Sequence, residues 1–168
     1  NNAMNQPNDL AIMQNGLLFA SDPNWADSSG QLWRINTDGS SNLLAADMGT
    51  TNGIAVSPDQ QYLFINESVQ RRIWRFKIND DFSLGNKQLV AHFSDFGLDG
   101  MRFDRAGNLY IARYGKGTIA KLSDSGELLA EYRLNHPLPT NVSLNNDDSY
   151  LYVTIQQCGC IERIALKP

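Results

Sequence analysis

The sequence predicts an all-β chain, a β-propeller of four-stranded antiparallel blades with about four blades present. Two observations carry this. An apolar strand opens on a short polar residue four times, at Asn8-Asp9-Leu10, Asn52-Gly53-Ile54, Asp99-Gly100-Met101 and Asn141-Val142-Ser143, with spacings of 44, 47 and 42 residues. Between these points lie only short strands and turns, and a repeat of that length filled with strand signals is the mark of propeller blades.

The first unit reads as strands over Asp9–Met13, Leu17–Ser21, Gln31–Asn36 and Asn42–Ala46. The second has Asn52–Val56, a Ser57-Pro58-Asp59 turn, Tyr62–Asn66, Arg72–Ile78 and Lys87–Phe93. Gly100–Asp104, Asn108–Arg113, Thr118–Ser123 and Leu128–Leu134 form the third; Asn141–Leu144, Tyr150–Ile155 and Cys160–Leu166 form the last, which lacks a fourth strand. The resulting blades span about 8–47, 52–94, 99–135 and 141–167 of a single domain. Strand rather than helix follows from segments such as Leu32-Trp33-Arg34-Ile35 and Ile73-Trp74-Arg75-Phe76, where aromatic and β-branched residues alternate with polar ones between turn residues. Trp33, Trp74, Phe64 and Tyr110 are expected to hold adjacent blades together, each burial contributing roughly 1.5 to 3 kcal/mol.

The 168 residues are 42% hydrophobic and 19% charged, enough apolar material for one core. A net charge of -4 with interspersed signs gives no basic footprint for nucleic acid. No apolar run reaches the roughly 18 residues that span a bilayer, and no leader is evident, so no membrane partner and a cytoplasmic protein are expected, or a periplasmic one if a leader has been removed. Cys158 and Cys160 form a C-x-C pair too short for easy disulfide geometry, so free thiols are expected. Neither His92 nor His136 shows ligand spacing, there is no Gly-x-Ser-x-Gly elbow, and Gly115-Lys116-Gly117 reads as a tight turn rather than a phosphate loop.

If each repeated polar residue heads the innermost strand of its blade, the four face one channel. Two amides and a carboxylate there make an oxygen-rich cation site. Asn141 reads instead as a strand-end residue bonded to neighbouring backbone.

Asn5-Gln6-Pro7-Asn8-Asp9, Ala20-Ser21-Asp22-Pro23, Gly49-Thr50-Thr51-Asn52-Gly53-Ile54-Ala55, Ser57-Pro58-Asp59, Gly97-Leu98-Asp99-Gly100-Met101 and Gly107-Asn108-Leu109-Tyr110-Ile111-Ala112 together resemble the gluconolactonase, regucalcin and senescence-marker-protein family. The resemblance implies a six-bladed propeller, relative to which this chain is incomplete. It also implies a divalent metal in the channel, calcium first and zinc, magnesium or manganese as alternatives, and hydrolysis of sugar lactones or, in some relatives, organophosphate esters. On this resemblance Asn8, Asn52 and Asp99 bind the metal, and Asp99 is also the catalytic base or nucleophile. The family's further metal glutamate has no counterpart upstream of Asn8, which predicts a weakened site.

Asp22, Glu67, Arg113 and Tyr114, at or just beyond the ends of second strands, are candidate substrate-binding residues. A non-catalytic, self-associating propeller or binding scaffold is the alternative to a lactone hydrolase. Uncovered end faces of the blade array are expected to favour a dimer over closure as a four-bladed ring.

Overall fold

A computed structural model describes residues 3–166. It contains fifteen strands in four antiparallel sheets, each a meander with its first strand innermost. Blade one is β1 (Leu10–Ile12), β2 (Leu18–Asn24), β3 (Ser29–Ile35) and β4 (Ser41–Gly49); blade two is β5 (Thr51–Val56), β6 (Tyr62–Glu67), β7 (Arg72–Lys77) and β8 (Gln88–His92). β9 (Met101–Phe103), β10 (Leu109–Arg113), β11 (Thr118–Leu122) and β12 (Leu128–Arg133) make blade three. β13 (Pro139–Leu144), β14 (Tyr150–Ile155) and β15 (Cys160–Ala165) form the three-stranded last sheet.

Local chemistry fixes the turns. At Asp27/Ser29, Asp38/Ser40, Asp81/Ser83 and Asp147/Ser149, one aspartate oxygen accepts from both the backbone N–H and the hydroxyl of the serine two residues on. In the first blade the β2–β3 hairpin runs further than the sequence suggests, pairing Pro23 with Gly30 and Asn24 with Ser29. Bulges in β4 carry that strand on to Gly49.

The core is divided by blade interface. Phe19, Leu32 and Met48 meet Ile54, Leu63 and Ile65 between blades one and two. Phe64, Ile73 and Leu98 meet Met101, Leu109 and Ile111 between two and three. Tyr110, Ala112 and Ile119 meet Val142, Leu151 and Val153 between three and four. Phe64 and Tyr110 thus bridge blades as expected, and Trp74 packs against the edge of the first cluster.

Trp33 does not join blades one and two. It lies opposite Ala20, which lies opposite Leu10, so all three share the face of blade one turned away from blade two. Its ring is nevertheless buried, and its indole N–H donates to Asp22 at 3.0 Å. On the same face Leu10 and Ile12 are 52% and 65% exposed. At the far end of the array Tyr152 and Ile161 are exposed, and among the described residues no apolar cluster joins blade four to blade one.

Cys158 and Cys160 are joined as a disulfide, which corrects the expectation of free thiols. The reason lies in the turn between β14 and β15. Gly159 takes a left-handed φ of 58° and the two Cα atoms stand 5.2 Å apart, within the range a disulfide spans despite the single intervening residue.

Around the axis the innermost strands approach closely because two of them carry glycine. A Cβ at Gly53 would overlap the Asp99 carbonyl oxygen, and one at Gly100 would overlap the Asn141 side chain. Gly53→Ala and Gly100→Ala are expected to destabilise the protein by about 1–3 kcal/mol each through overpacking, read as a lowered thermal midpoint by circular dichroism. Gly39→Ala, at a left-handed turn with open space around it, serves as the comparison that carries backbone strain without a clash.

Candidate active site

The N-terminal ends of the innermost strands open on a cleft of about 320 Å³ lined by Asn8, Trp25, Asn52, Ser68, Asp99, Tyr114, Thr140 and Gln156. Three blades therefore bring Asn8, Asn52 and Asp99 to one place. Asn52 is buried and Asp99 half-buried, whereas Asn8 is exposed.

Polar contacts hold these strand ends in register across the blade boundaries. Asp9 accepts from the Ile54 N–H at 3.2 Å, linking blades one and two. Asn66 Nδ2 donates to the Asp99 carbonyl at 2.6 Å and Asn52 Nδ2 to the Leu98 carbonyl at 3.5 Å, linking two and three. The Gly100 N–H donates to the Thr140 carbonyl at 2.8 Å, linking three and four. Asn141 spends its Oδ1 on the Val142 N–H at 2.8 Å, as its strand-end reading requires.

Burial pushes the Asp99 carboxyl up to about 7. The Gly100 N–H and the Asn52 amide offset part of that, and the negative charge of Asp9 adds to it. Burial also raises Asp9, against hydrogen bonds from Leu10 and Ile54 and the charge of Arg102. Among the described residues no lysine or arginine forms an ion pair with Asp99. The buried Oδ1 atoms of Asn52 and Asn66 likewise find no hydrogen-bond partner among the described residues. A carboxylate without a cation beside an amide oxygen without a donor is a donor set suited to a hard cation. The residues present thus fit a divalent ion.

Asp22, Glu67 and Arg113 do not line the cleft. They occupy the equivalent place near the end of the second strand in blades one, two and three, and each ties down the segment entering its own blade's first strand. Asp22 accepts the backbone N–H groups of Asn5 and Gln6 at 3.0 and 2.7 Å, ahead of Asn8. Glu67 accepts that of Gly49 at 2.8 Å, ahead of Asn52, and pairs with Lys87 at 3.2 Å. Arg113 donates to the Asp95 carbonyl at 2.6 Å, ahead of Asp99, and stacks on Phe93 at 3.8 Å. All three are almost fully buried. Only Tyr114 of the four candidates reaches the cleft, where its hydroxyl donates to Gln156 Oε1 at 2.5 Å.

Sequence reasoning passed over Asp9, Asn66 and Gln156. The Asn8-Asp9 pair was a visible signal for the first. The other two, in β6 and just beyond β14, are placed by contacts distant in sequence, Asn66 with the Asp99 carbonyl and Gln156 with Tyr114.

Fold and cleft together define a β-propeller with oxygen donors from successive blades gathered at one end of its axis. The chain belongs to the SMP-30/gluconolactonase/LRE-like family, which its residues 1–157 match. A 6-deoxy-6-sulfogluconolactonase of Pseudomonas putida is 30% identical over 131 residues, covering 76% of this chain and 45% of the relative. Among solved structures, a gluconolactonase of Xanthomonas campestris superposes with a TM-score of 0.83 at 24% identity over 98% of this chain and 58% of that one. Regucalcin of Agrobacterium tumefaciens, described as a calcium-binding protein, superposes with a TM-score of 0.79 at 23% identity over 88% and 52%. The chain spans about half the length of these proteins.

The raised Asp99 carboxyl sets a pH dependence for the metal-free protein. The folded state keeps this proton until about pH 7, whereas an unfolded chain releases it near 3.8. In that window the folded state binds more protons, so stability falls as pH rises and levels off above the folded pKa. Denaturant unfolding in chelator, from about pH 5 to about pH 8, is expected to show wild type losing up to about 1.4 kcal/mol per pH unit relative to Asp99→Asn. Parallel curves for the two proteins would place the Asp99 pKa near its ordinary value.

Proposed function

We propose that this chain carries the divalent-cation site of a lactone hydrolase, with Asn8, Asn52 and Asp99 as the residues that hold the ion and Asp99 as the proton acceptor. The observation that carries this reading is the half-buried Asp99 carboxylate without a basic partner, beside the orphaned Oδ1 of Asn52. The named relatives support the substrate class: one is a sulfogluconolactonase and another a gluconolactonase. Regucalcin's description as calcium-binding supports calcium as the first ion to test.

Such an ion, when bound, polarises a carbonyl and makes water more acidic. The chain's own residues supply the rest. Asp99, half-buried and without a basic partner, is held where its ionised carboxylate can accept a proton from a water at the cleft. Asn8 and Asn52 contribute neutral oxygens, which leave the carboxylate as the single negative donor among the three. Tyr114 and Trp25 wall the cleft, and Ser68, Thr140 and Gln156 offer hydrogen bonds to a polyhydroxylated ring. Asp22, Glu67 and Arg113 act as positioning residues, since each fixes the segment that leads to one of the three proposed ligands. Three side-chain donors are fewer than the roughly 6 to 8 oxygens calcium takes, so weak affinity is expected for this chain.

Calcium titration by calorimetry, paired with gluconolactone hydrolysis, tests the reading. Wild type is expected to bind calcium and turn over lactone, and Asp99→Asn to lose about 100-fold or more in kcat/KM together with most of its calcium affinity. Equal activity in the two proteins would remove Asp99 from the mechanism. Absence of both binding and turnover in wild type would leave the non-catalytic scaffold.

Exposure of Leu10 and Ile12 at one end of the blade array supports self-association of this chain through that face. Sedimentation velocity at micromolar concentration is expected to show a dimer that Ile12→Lys converts to monomer. A wild-type monomer would rule self-association out.

A further inference from the structure

A second cluster of ligating side chains lies away from the axial donors. His136, in the loop between β12 and β13, comes together with Cys158, in the turn between β14 and β15, and Cys160, the first residue of β15. A ring nitrogen and the two sulfur atoms all lie within 4.8 Å of one another. Local spacing does not reveal this, because the histidine and the cysteines lie more than twenty residues apart and are brought together by the antiparallel pairing of β13, β14 and β15.

The histidine is held in a defined orientation. Its Nδ1 stands 2.8 Å from Glu162 Oε1, while Glu162 Oε2 accepts from the Asn135 backbone N–H and side-chain amide, each at 3.0 Å. Those hydrogen bonds from Asn135 and His136 outweigh burial and keep the Glu162 carboxyl below its ordinary range, so it is an acceptor. With Nδ1 against this acceptor, Nε2 is the ring nitrogen left to face a metal. A carboxylate behind one imidazole nitrogen is the device by which proteins orient the other toward a metal. Cys158 is exposed and Cys160 half-buried, so the pair is open to solution reagents.

We propose that reduction of the Cys158–Cys160 disulfide creates a site in which His136, Cys158 and Cys160 bind a thiophilic cation of the zinc type. The site is distinct from the oxygen-lined axial site and independent of the lactonase reading. The redox step balances with a dithiol reductant: it delivers two electrons and two protons, the S–S bond opens to two thiols, and the reductant closes to its own disulfide. Binding then releases the two thiol protons to solvent as both sulfurs become thiolates. In the oxidised state neither sulfur carries the charge that a metal needs, so the disulfide switches the site off. Two thiolates and one imidazole suit zinc or cadmium and leave one position of a tetrahedral ion to water. Gly159 between the cysteines, at positive φ, lets both sulfurs turn to the same side.

The test uses cadmium, whose thiolate complexes absorb in the ultraviolet and so report sulfur ligation alone. Protein reduced with a dithiol, freed of it anaerobically and titrated with cadmium is expected to develop the thiolate band to one equivalent, with zinc competing for it. The band is expected to persist in Asp99→Asn, to be absent from the oxidised protein, and to require at least about tenfold more cadmium in His136→Gln and in Glu162→Gln. Circular dichroism of each variant checks that the sheets are retained, and Cys160→Ser provides a second way to remove a sulfur. Absence of the band in reduced wild type overturns the proposal. So does a cadmium affinity that folded His136→Gln leaves unchanged.

Discussion

Innermost strands of successive blades meet near the axis at a distance that only glycine permits at two positions. Gly53 lies against the Asp99 carbonyl and Gly100 against Asn141, so neither can carry a side chain where it stands. That proximity makes possible the hydrogen bonds that cross each blade boundary: Asp9 to Ile54, Asn66 to the Asp99 carbonyl, and Gly100 to Thr140. Apolar clusters between the sheets supply most of the driving force, but they are non-directional. Register at the axis comes from these short polar contacts, and the cleft depends on that register.

Packing the strand ends together has an electrostatic consequence. Asp9 lies close enough to raise the cost of ionising Asp99, and both are partly withdrawn from water. Lys87, Arg113 and Lys121 are engaged elsewhere, with Glu67, Asp95 and Asp104, and Arg102 acts on Asp9. The result is local negative potential with free oxygen donors, in a molecule whose other acidic groups are mostly paired or capped by turn serines. Asp27, Asp38 and Asp81, for instance, are held below the ordinary carboxylate range by the serine two residues on. Burial instead pushes the Asp99 carboxyl up to about 7, which sets it apart from these surface aspartates.

Behind the cleft, the same device appears three times. The residue at the end of the second strand reaches back to hold the segment entering the first strand, through Asp22, Glu67 and Arg113. Two are acids accepting from backbone N–H groups, and the third is a base donating to a backbone carbonyl. Opposite charges do one mechanical task because a peptide group offers both a donor and an acceptor. This repetition explains why residue type at these positions is a poor guide to what the side chain holds.

The sequence by itself determined the class of fold and the identities of three axial residues, because alternating strands, turn residues and blade-length spacing are local properties that survive in one dimension. Asn8, Asn52 and Asp99 stood out since each opens a strand at the same point of a repeat. Tertiary structure alone decided which neighbours share their space: Asp9, Asn66 and Gln156 at the site, Trp33 on the outward face of blade one, and His136 beside the Cys158–Cys160 turn. Those relations depend on blade-to-blade packing and on which face of a sheet a side chain takes, and a shift of one residue in register reverses the face. Burial, which sets the proton affinity of Asp99, belongs to the assembled blades and to no single one of them.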